Sequence, residues 1–312
     1  MKYYLAPMEG ITGYIYRNAC HTYFEAYDKY FLPFVAPHEK RSFNAKERND
    51  LLPEHNEGMY VVPQVLTNDA EAFLRILADL RGMGYQEVNL NLGCPSGTVV
   101  AKGRGSGFLD SPKKLDEFFA RVFEQTEMKL SVKTRVGVDS DVVWEELVDI
   151  YNKYPLEELV VHPRIQKDFY NNTPRMECFA YAVSESVNPL CYNGDLFDVK
   201  KYRGFHEAYP TVSCVMLGRG AIHNPGLLGE IKTGKKAEKE TLHAFHDRLY
   251  EDYSRLFSGD RNVLFKMKEV WFYMAQLFEH SEKYAKKIRK ADRASDYEAA
   301  VNALFRDCEV EQ

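Results

Sequence analysis

Short runs rich in β-branched and aromatic residues recur along most of this chain, separated by stretches with helical spacing. The pattern predicts strands near Tyr3–Pro7, Phe31–Ala36, Met59–Val65, Glu87–Leu92, Leu130–Arg135, Glu158–His162, Pro189–Asn193 and Val212–Leu217. Between them, Ala70–Arg81 places Phe73, Leu74, Leu77 and Leu80 on one helical face, and Leu115–Glu124 repeats the device. Strands alternating with helices imply right-handed crossovers and a parallel sheet. Eight such units in about 230 residues fit a (β/α)8 TIM barrel of the α/β class, whose usual size is about 250 residues. An open doubly wound sheet is the other architecture such alternation allows.

After Gly234 the character changes. Lys235–Glu240 is a charged connector, and the chain beyond it reads as helices with little Gly or Pro: Leu242–Phe257, Val263–Phe278 and Ser295–Phe305. The expected division is a catalytic barrel over residues 1–236 and a small all-helical domain over 237–312. The 312 residues suffice for both cores. No apolar run approaches the roughly 20 residues of a membrane helix. The start, Met1-Lys2-Tyr3-Tyr4-Leu5, enters a strand with no signal peptide, so a cytoplasmic location is expected. The six cysteines are scattered with no C-x-x-C pair, which argues against a zinc site and a disulfide framework; no metal is expected. The net charge is −5, so any nucleic-acid surface must be a local patch.

In a (β/α)8 enzyme the chemistry is built at the carboxyl ends of the strands. Polar clusters fall there in succession: Pro7-Met8-Glu9, Pro63-Gln64, Asn91-Leu92-Gly93-Cys94-Pro95, Lys133-Thr134-Arg135, His162-Pro163-Arg164, Asn193-Gly194-Asp195 and Gly218-Arg219-Gly220. Cys94 stands between Gly93 and Pro95, in a tight turn beyond a strand. A thiol with an ordinary pKa near ~8.5 is neutral at working pH and can still release a proton to a carbon centre. The other five cysteines read as small buried apolar residues. The glycine-bearing turns at Asn193-Gly194-Asp195 and Gly218-Arg219-Gly220 end the last two strands, where barrels often hold a phosphate. Lys102-Gly103-Arg104-Gly105-Ser106-Gly107 is glycine-rich and basic, and reads as a mobile flap beside Cys94 or as a plain surface loop. Near the C-terminus, Lys283, Lys286, Lys287, Lys290 and Arg293 recur at helical spacing, a candidate phosphate-binding stripe or a merely solvated face.

The stretches LAPMEGITGYIYR, VNLNLGCPSGTVVAKGRGSGFL, SVKTRVG, LVVHPRIQKDFY, YNGDLF and VMLGRGAIHNPGL resemble the dihydrouridine synthase family, from residue 3 to about 228. The resemblance implies an FMN barrel with a helical C-terminal domain that reduces the C5–C6 bond of uridine with electrons from NADPH. It implies that Cys94 gives a proton to C5 while the flavin delivers hydride to C6. Pro7, Met8 and Glu9 then belong to the flavin site, with Pro7 and Met8 under the ring. Gln64 can donate and accept at the ring edge. Lys133 can face the negative edge of reduced flavin, or pair with a neighbouring carboxylate. His162 is placed against the flavin, and Asn193, Gly194, Asp195, Gly218 and Arg219 around its phosphate. Asn91 faces the uracil, and Arg164, Tyr170, Lys102, Arg104, Lys286, Lys287 and Lys290 are candidate RNA contacts. The implied substrate is tRNA, acted on by a monomer; rRNA uridine or a free pyrimidine is the alternative. Gly13, Pro163 and Asp168 depart from the family pattern, all near the substrate side.

Overall fold

The computed structural model describes residues 1–38 and 42–311. Among them run nine short parallel strands: β1 (Lys2–Leu5), β2 (Lys29–Phe31), β3 (Val61–Val62), β4 (Gln64–Val65), β5 (Glu87–Leu92), β6 (Lys129–Thr134), β7 (Leu159–Val161), β8 (Leu190–Tyr192) and β9 (Cys214–Leu217). The sheet order is β3-β2-β1-β9-β8-β7-β6-β5-β4. Its two ends, β3 and β4, are separated in sequence only by Pro63, so the sheet closes on itself as a TIM barrel. Proline has no N–H to give a ladder, which breaks the strand there. Its carbonyl still accepts the Asn89 N–H at 2.8 Å.

The strands lie close to their predicted places, with one instructive shift. The pattern puts the second strand at Phe31–Ala36, but β2 is Lys29–Phe31. Lys29 looks like a solvated residue in sequence, yet it is buried with its ammonium on Glu87 and Glu158. Pro33 then interrupts the ladder, which resumes within the predicted stretch as a parallel bridge of Val35 with Val65.

Helices fill the connections: α1 (Tyr14–Tyr23), α2 (Ala45–Leu51), α3 (Ala70–Gly82), α4 (Gly97–Val100), α5 (Pro112–Gln125), α6 (Trp144–Asn152) and α7 (Met176–Glu185). They continue as α8 (Val199–Ala208), α9 (Arg219–His223), α10 (Leu227–Thr233), α11 (Lys239–Leu256), α12 (Asp260–Met274), α13 (Glu282–Lys290) and α14 (Ala294–Asp307). Their starts follow ordinary chemistry. The Asp69 side chain caps α3 by accepting the Ala72 N–H at 3.0 Å, and α5 opens on Pro112, whose missing N–H costs nothing in a first turn.

The chain packs as two compact units. The first comprises Met1–Pro7, Lys29–Gly194 and Tyr209–Met216, and so holds the barrel strands with α2–α7. Inside it, Tyr4, Phe31, Val62, Val160, Cys191 and Met216 are among the buried core residues. The second comprises Met8–Asp28, Asp195–Ala208 and Leu217–Gln312, and holds α1 and α8–α14. Here Phe245 packs edge-on against Tyr16 and Phe24, and the indole of Trp271 donates to the Tyr297 hydroxyl at 2.8 Å. Among the described residues, no helix is long and apolar enough to cross a membrane.

Candidate active site

Strand β5 supplies the frame. Its residues alternate Glu87, Asn89, Asn91 with Val88, Leu90, Leu92, and all six are buried, as expected of a strand covered on both faces. The polar set, two residues apart, lies on one face. Asn89 donates to the Ser131 hydroxyl at 3.0 Å and accepts from the Gln64 amide at 2.8 Å. The Gln64 Oε1 accepts from Asn91 at 2.7 Å. Asn91 Oδ1 in turn accepts the backbone N–H groups of Gly93 and Cys94, at 3.0 and 2.9 Å. A relay of amides therefore runs from the barrel interior to the turn that holds the thiol. Each amide nitrogen in it has a second N–H.

That turn is braced from three sides. The Cys94 carbonyl accepts from the hydroxyl and backbone N–H of Ser106, at 2.8 and 3.1 Å. Gly105 sits at φ +56°, and a Cβ there would fall 2.9 Å from the Cys94 Cβ, so the close approach requires glycine. Gly105–Leu109 are buried in a 3-10 turn, so this part of the basic loop is a brace and not the flap that its glycines suggest. Gln166 donates to the Pro95 carbonyl at 2.8 Å. Arg135, 1% exposed, donates to the carbonyls of Gly93 (3.0 Å), Ile165 (2.7 Å) and Phe169 (2.8 Å). It thereby ties the thiol turn to the loop after β7.

Lys133 is in register with Asn91 across β5 and β6. Burial, and then the charge of Arg135, bring its ammonium down to about 8, while the thiols of Cys191 and Cys94 lie close enough to oppose that shift. Among the described residues, no carboxylate or other acceptor lies within bonding distance of its Nζ. The carboxylate-paired alternative for this lysine therefore falls.

His162 Nδ1 lies 2.6 Å from the Asn193 carbonyl. A carbonyl only accepts, so Nδ1 carries the proton and Nε2 keeps a lone pair, facing Arg164 Nη1 at 3.4 Å. Burial, then the charges of Lys133, Arg135 and Arg164, hold the ring well below the ordinary histidine range, so it is neutral. Arg164 is buried, with its Nε on the Asn172 carbonyl at 2.6 Å. Tyr170, 44% exposed, lies over the Arg135 guanidinium at 5.3 Å. Beside it Phe169 takes φ +47°, a left-handed conformation that a phenylalanine rarely adopts.

Asp168, one of the departures from the family pattern, has a structural post. Burial opposes its charge, but hydrogen bonds from Asn172 (2.6 Å), Arg175 (3.3 Å) and the Ile165 N–H (3.1 Å) hold its carboxyl below the usual range. Of the remaining first-unit candidates, Asn193 donates to the Met216 carbonyl at 2.8 Å. A Cβ on Gly194 would fall 1.9 Å from the Tyr192 hydroxyl. Pro7 is half-buried. Lys102 is exposed, with its carbonyl on Asn68, and Arg104 is half-buried.

The second unit holds the other candidates. The Met8 N–H donates to the Thr12 hydroxyl at 2.8 Å, and Glu9 is exposed. Arg219 follows Gly218, donates to Asp195 at 2.5 Å and lies over the Phe197 ring at 5.2 Å. A Cβ on Gly220 would fall 2.0 Å from the Leu196 carbonyl. Lys286, Lys287 and Lys290 are exposed along α13.

Within the first unit, then, Gln64, Asn91, Cys94, Lys133 and His162 form one neighbourhood, with Arg164 and Tyr170 beside His162. Sequence reasoning passed over Arg135, Ser106 and Gln166 as working parts. Arg135 had a usable signal, since it stands two residues after Lys133 on the same face of the chain. The other two act through backbone carbonyls, which no side-chain pattern announces.

Known proteins share this fold and sequence pattern. Solved structures with a similar fold include a variant of NCR from Zymomonas mobilis, with a TM-score of 0.52 and 12% identity, covering 77% of this chain and 90% of that one. Morphinone reductase in complex with tetrahydroNAD gives 0.51 and 13%, covering 77% and 89%. Curated relatives include tRNA-dihydrouridine synthase B of Shewanella oneidensis, 24% identical over 96% of this chain and 94% of that protein. The sequence profile described as dihydrouridine synthase (Dus) matches residues 4–311, and the chain belongs to that family.

Proposed function

We propose that this chain reduces uridines in tRNA to 5,6-dihydrouridine, with FMN as its resident cofactor and NADPH as the reductant. The observation that carries the reading is Lys133: an ammonium in the barrel with no acceptor in bonding distance among the described residues, in register with Asn91 and close to Cys94. A cation so placed suits an anionic planar ligand, and the second N–H of Gln64 and of Asn91 suits the carbonyl edge of one. The residues present therefore fit a flavin. When bound, that group supplies the hydride that goes to uridine C6.

The chain's own residues do the rest. Cys94 gives its thiol proton to C5, and the cation of Lys133 favours the thiolate left behind. Asn91 sets the thiol through the two backbone N–H groups it accepts. His162, neutral, holds its Nε2 lone pair toward Arg164 on the cofactor side. Arg219, with Asn193, Gly194, Asp195 and Gly218, takes the phosphate, and Pro7, Met8 and Glu9 complete the cofactor side. Arg164 and Tyr170 meet the substrate nucleotide, while Lys102, Arg104 and the lysines of α13 meet RNA backbone. In this reading residues 1–236 do the chemistry and residues 237–312 grip the RNA. The name of the Shewanella relative supports tRNA as the substrate.

The test is direct. Flavin-loaded protein, NADPH and tRNA lacking dihydrouridine are incubated, and the nucleosides are resolved by mass spectrometry. Dihydrouridine at a defined position is expected. Its absence from tRNA sinks the proposal; its appearance only in rRNA or free pyrimidine moves the substrate there.

A further inference from the structure

Helix α12 leaves two large rings in water. Phe265 is 61% and Phe272 is 68% exposed, and a spacing of seven residues puts both on one face. An exposed ring alone is ordinary on a protein surface; Phe272 differs from Phe265 in lining a groove. Beside Phe272 a groove of about 440 Å³ opens between α12 and α13, floored by Trp271, Ala275, Ala285 and Ile288. Its rim carries three cations, Lys268, Lys286 and Arg289, against one carboxylate, Glu282. Lys268 lies 3.7 Å from Asp292, whose side chain is 96% exposed. Among the described residues, no carboxylate is within ion-pair distance of Lys286, Lys287, Arg289 or Lys290.

Two demands coincide here. The Phe272 ring, which meets Tyr273 edge-on at 5.0 Å and is largely in water, can take a stacking partner. Lys286 and Arg289 beside it have no carboxylate within ion-pair distance among the described residues. An apolar protein surface would satisfy the first and strand the second. An acidic peptide would do the reverse. An unpaired nucleotide meets both, with its base on the ring and its phosphates on the rim. The volume is that of a small-ligand pocket, in the range of about 300–1,000 Å³.

We propose that the α12–α13 groove binds an unpaired nucleobase of the RNA, other than the uridine that is reduced, with Phe272 as the stacking face and Lys286 and Arg289 on the flanking phosphates. This rests on the reading of the chain as an RNA-modifying enzyme. Every base has a π-face, so the site tolerates sequence and selects for an unpaired strand.

Affinity of the flavin-loaded full chain for a fluorescent tRNA transcript, measured across a salt series, separates the terms. Phe272→Ala should weaken binding about 10-fold while leaving the slope of log K against log salt unchanged. Lys286→Gln with Arg289→Gln should flatten that slope by about 1.4, the single-strand value for two phosphates. Phe272→Trp should restore affinity and Phe272→Leu should not. In turnover, Phe272→Ala should raise KM and spare kcat. Unchanged affinity in Phe272→Ala, or full rescue by Phe272→Leu, overturns the base pocket and leaves the RNA reading standing. Failure of the parent protein to bind any tRNA overturns both. Because Phe272 is exposed, these variants keep the fold.

Discussion

The two ends of the barrel treat a lysine in opposite ways: Lys29 is buried, and Lys133 is half-buried. At the floor, Lys29 is clamped between Glu87 (3.0 and 2.9 Å) and Glu158 (3.0 Å), Tyr60 donates to Glu87 at 3.1 Å, and Tyr4 donates to Glu158. Burial alone would lower the Lys29 ammonium, but the two carboxylates hold it above the ordinary lysine range. At the mouth, Lys133 has no such clamp among the described residues, and desolvation brings it down to about 8. A buried charge is tolerated when it is paired, and is expensive when it is not. The floor is therefore closed chemistry, complete in the protein alone. On the proposed reading the mouth is open chemistry, with the counter-charge to Lys133 supplied by a ligand.

The widest separation of the two ends should come from Cys94→Ala. Removing a positioned acid costs about 10²–10⁴-fold in rate, so dihydrouridine formation should fall by that much with the melting temperature unchanged. A loss under tenfold would take the proton donor elsewhere. Lys29→Met should do the converse. Stripping one member from a buried ion cluster destabilises by about 3–5 kcal/mol, read by urea denaturation, and the folded fraction should keep its turnover. If Lys29→Met were neutral in stability and harmful to flavin binding, the floor would not be the closed end.

This contrast was only half legible in the sequence. The barrel could be read because period-two and period-3.6 patterns alternate so regularly, and β5 was placed to the residue. Lys133 could be read because it ends an apolar strand beside other strand-end motifs. Lys29 could not, since its partners are 58 and 129 positions away and nothing local marks them. Arg135 and Ser106 were missed because they brace the thiol through carbonyls, and long-range backbone bonds leave no compositional trace. The exposure of Phe265 and Phe272 was hidden too: a helical apolar spacing does not say which face turns to water.

Lys133→Met should weaken flavin retention by about tenfold, the order of one lost charge-assisted hydrogen bond. Melting temperature without flavin should hold or rise, because an unpaired, half-buried charge has gone. The finer test is pH. The native Lys133 titrates near 8 and the unfolded one near its ordinary value of about 10.4. Between those values the unfolded chain holds a proton the native chain lacks, so the apoprotein should gain stability as pH rises through that window. Flavin affinity should move the other way, because the anion needs the ammonium: it should fall as pH rises through about 8. Lys133→Met should lose both slopes. Lys29, whose ammonium is held above the ordinary range, contributes neither in that window. An affinity that stays flat in the parent protein from about pH 7 to about pH 9 would mean that Lys133 does not meet the anion. The asymmetry between floor and mouth would then be one of packing, not of function.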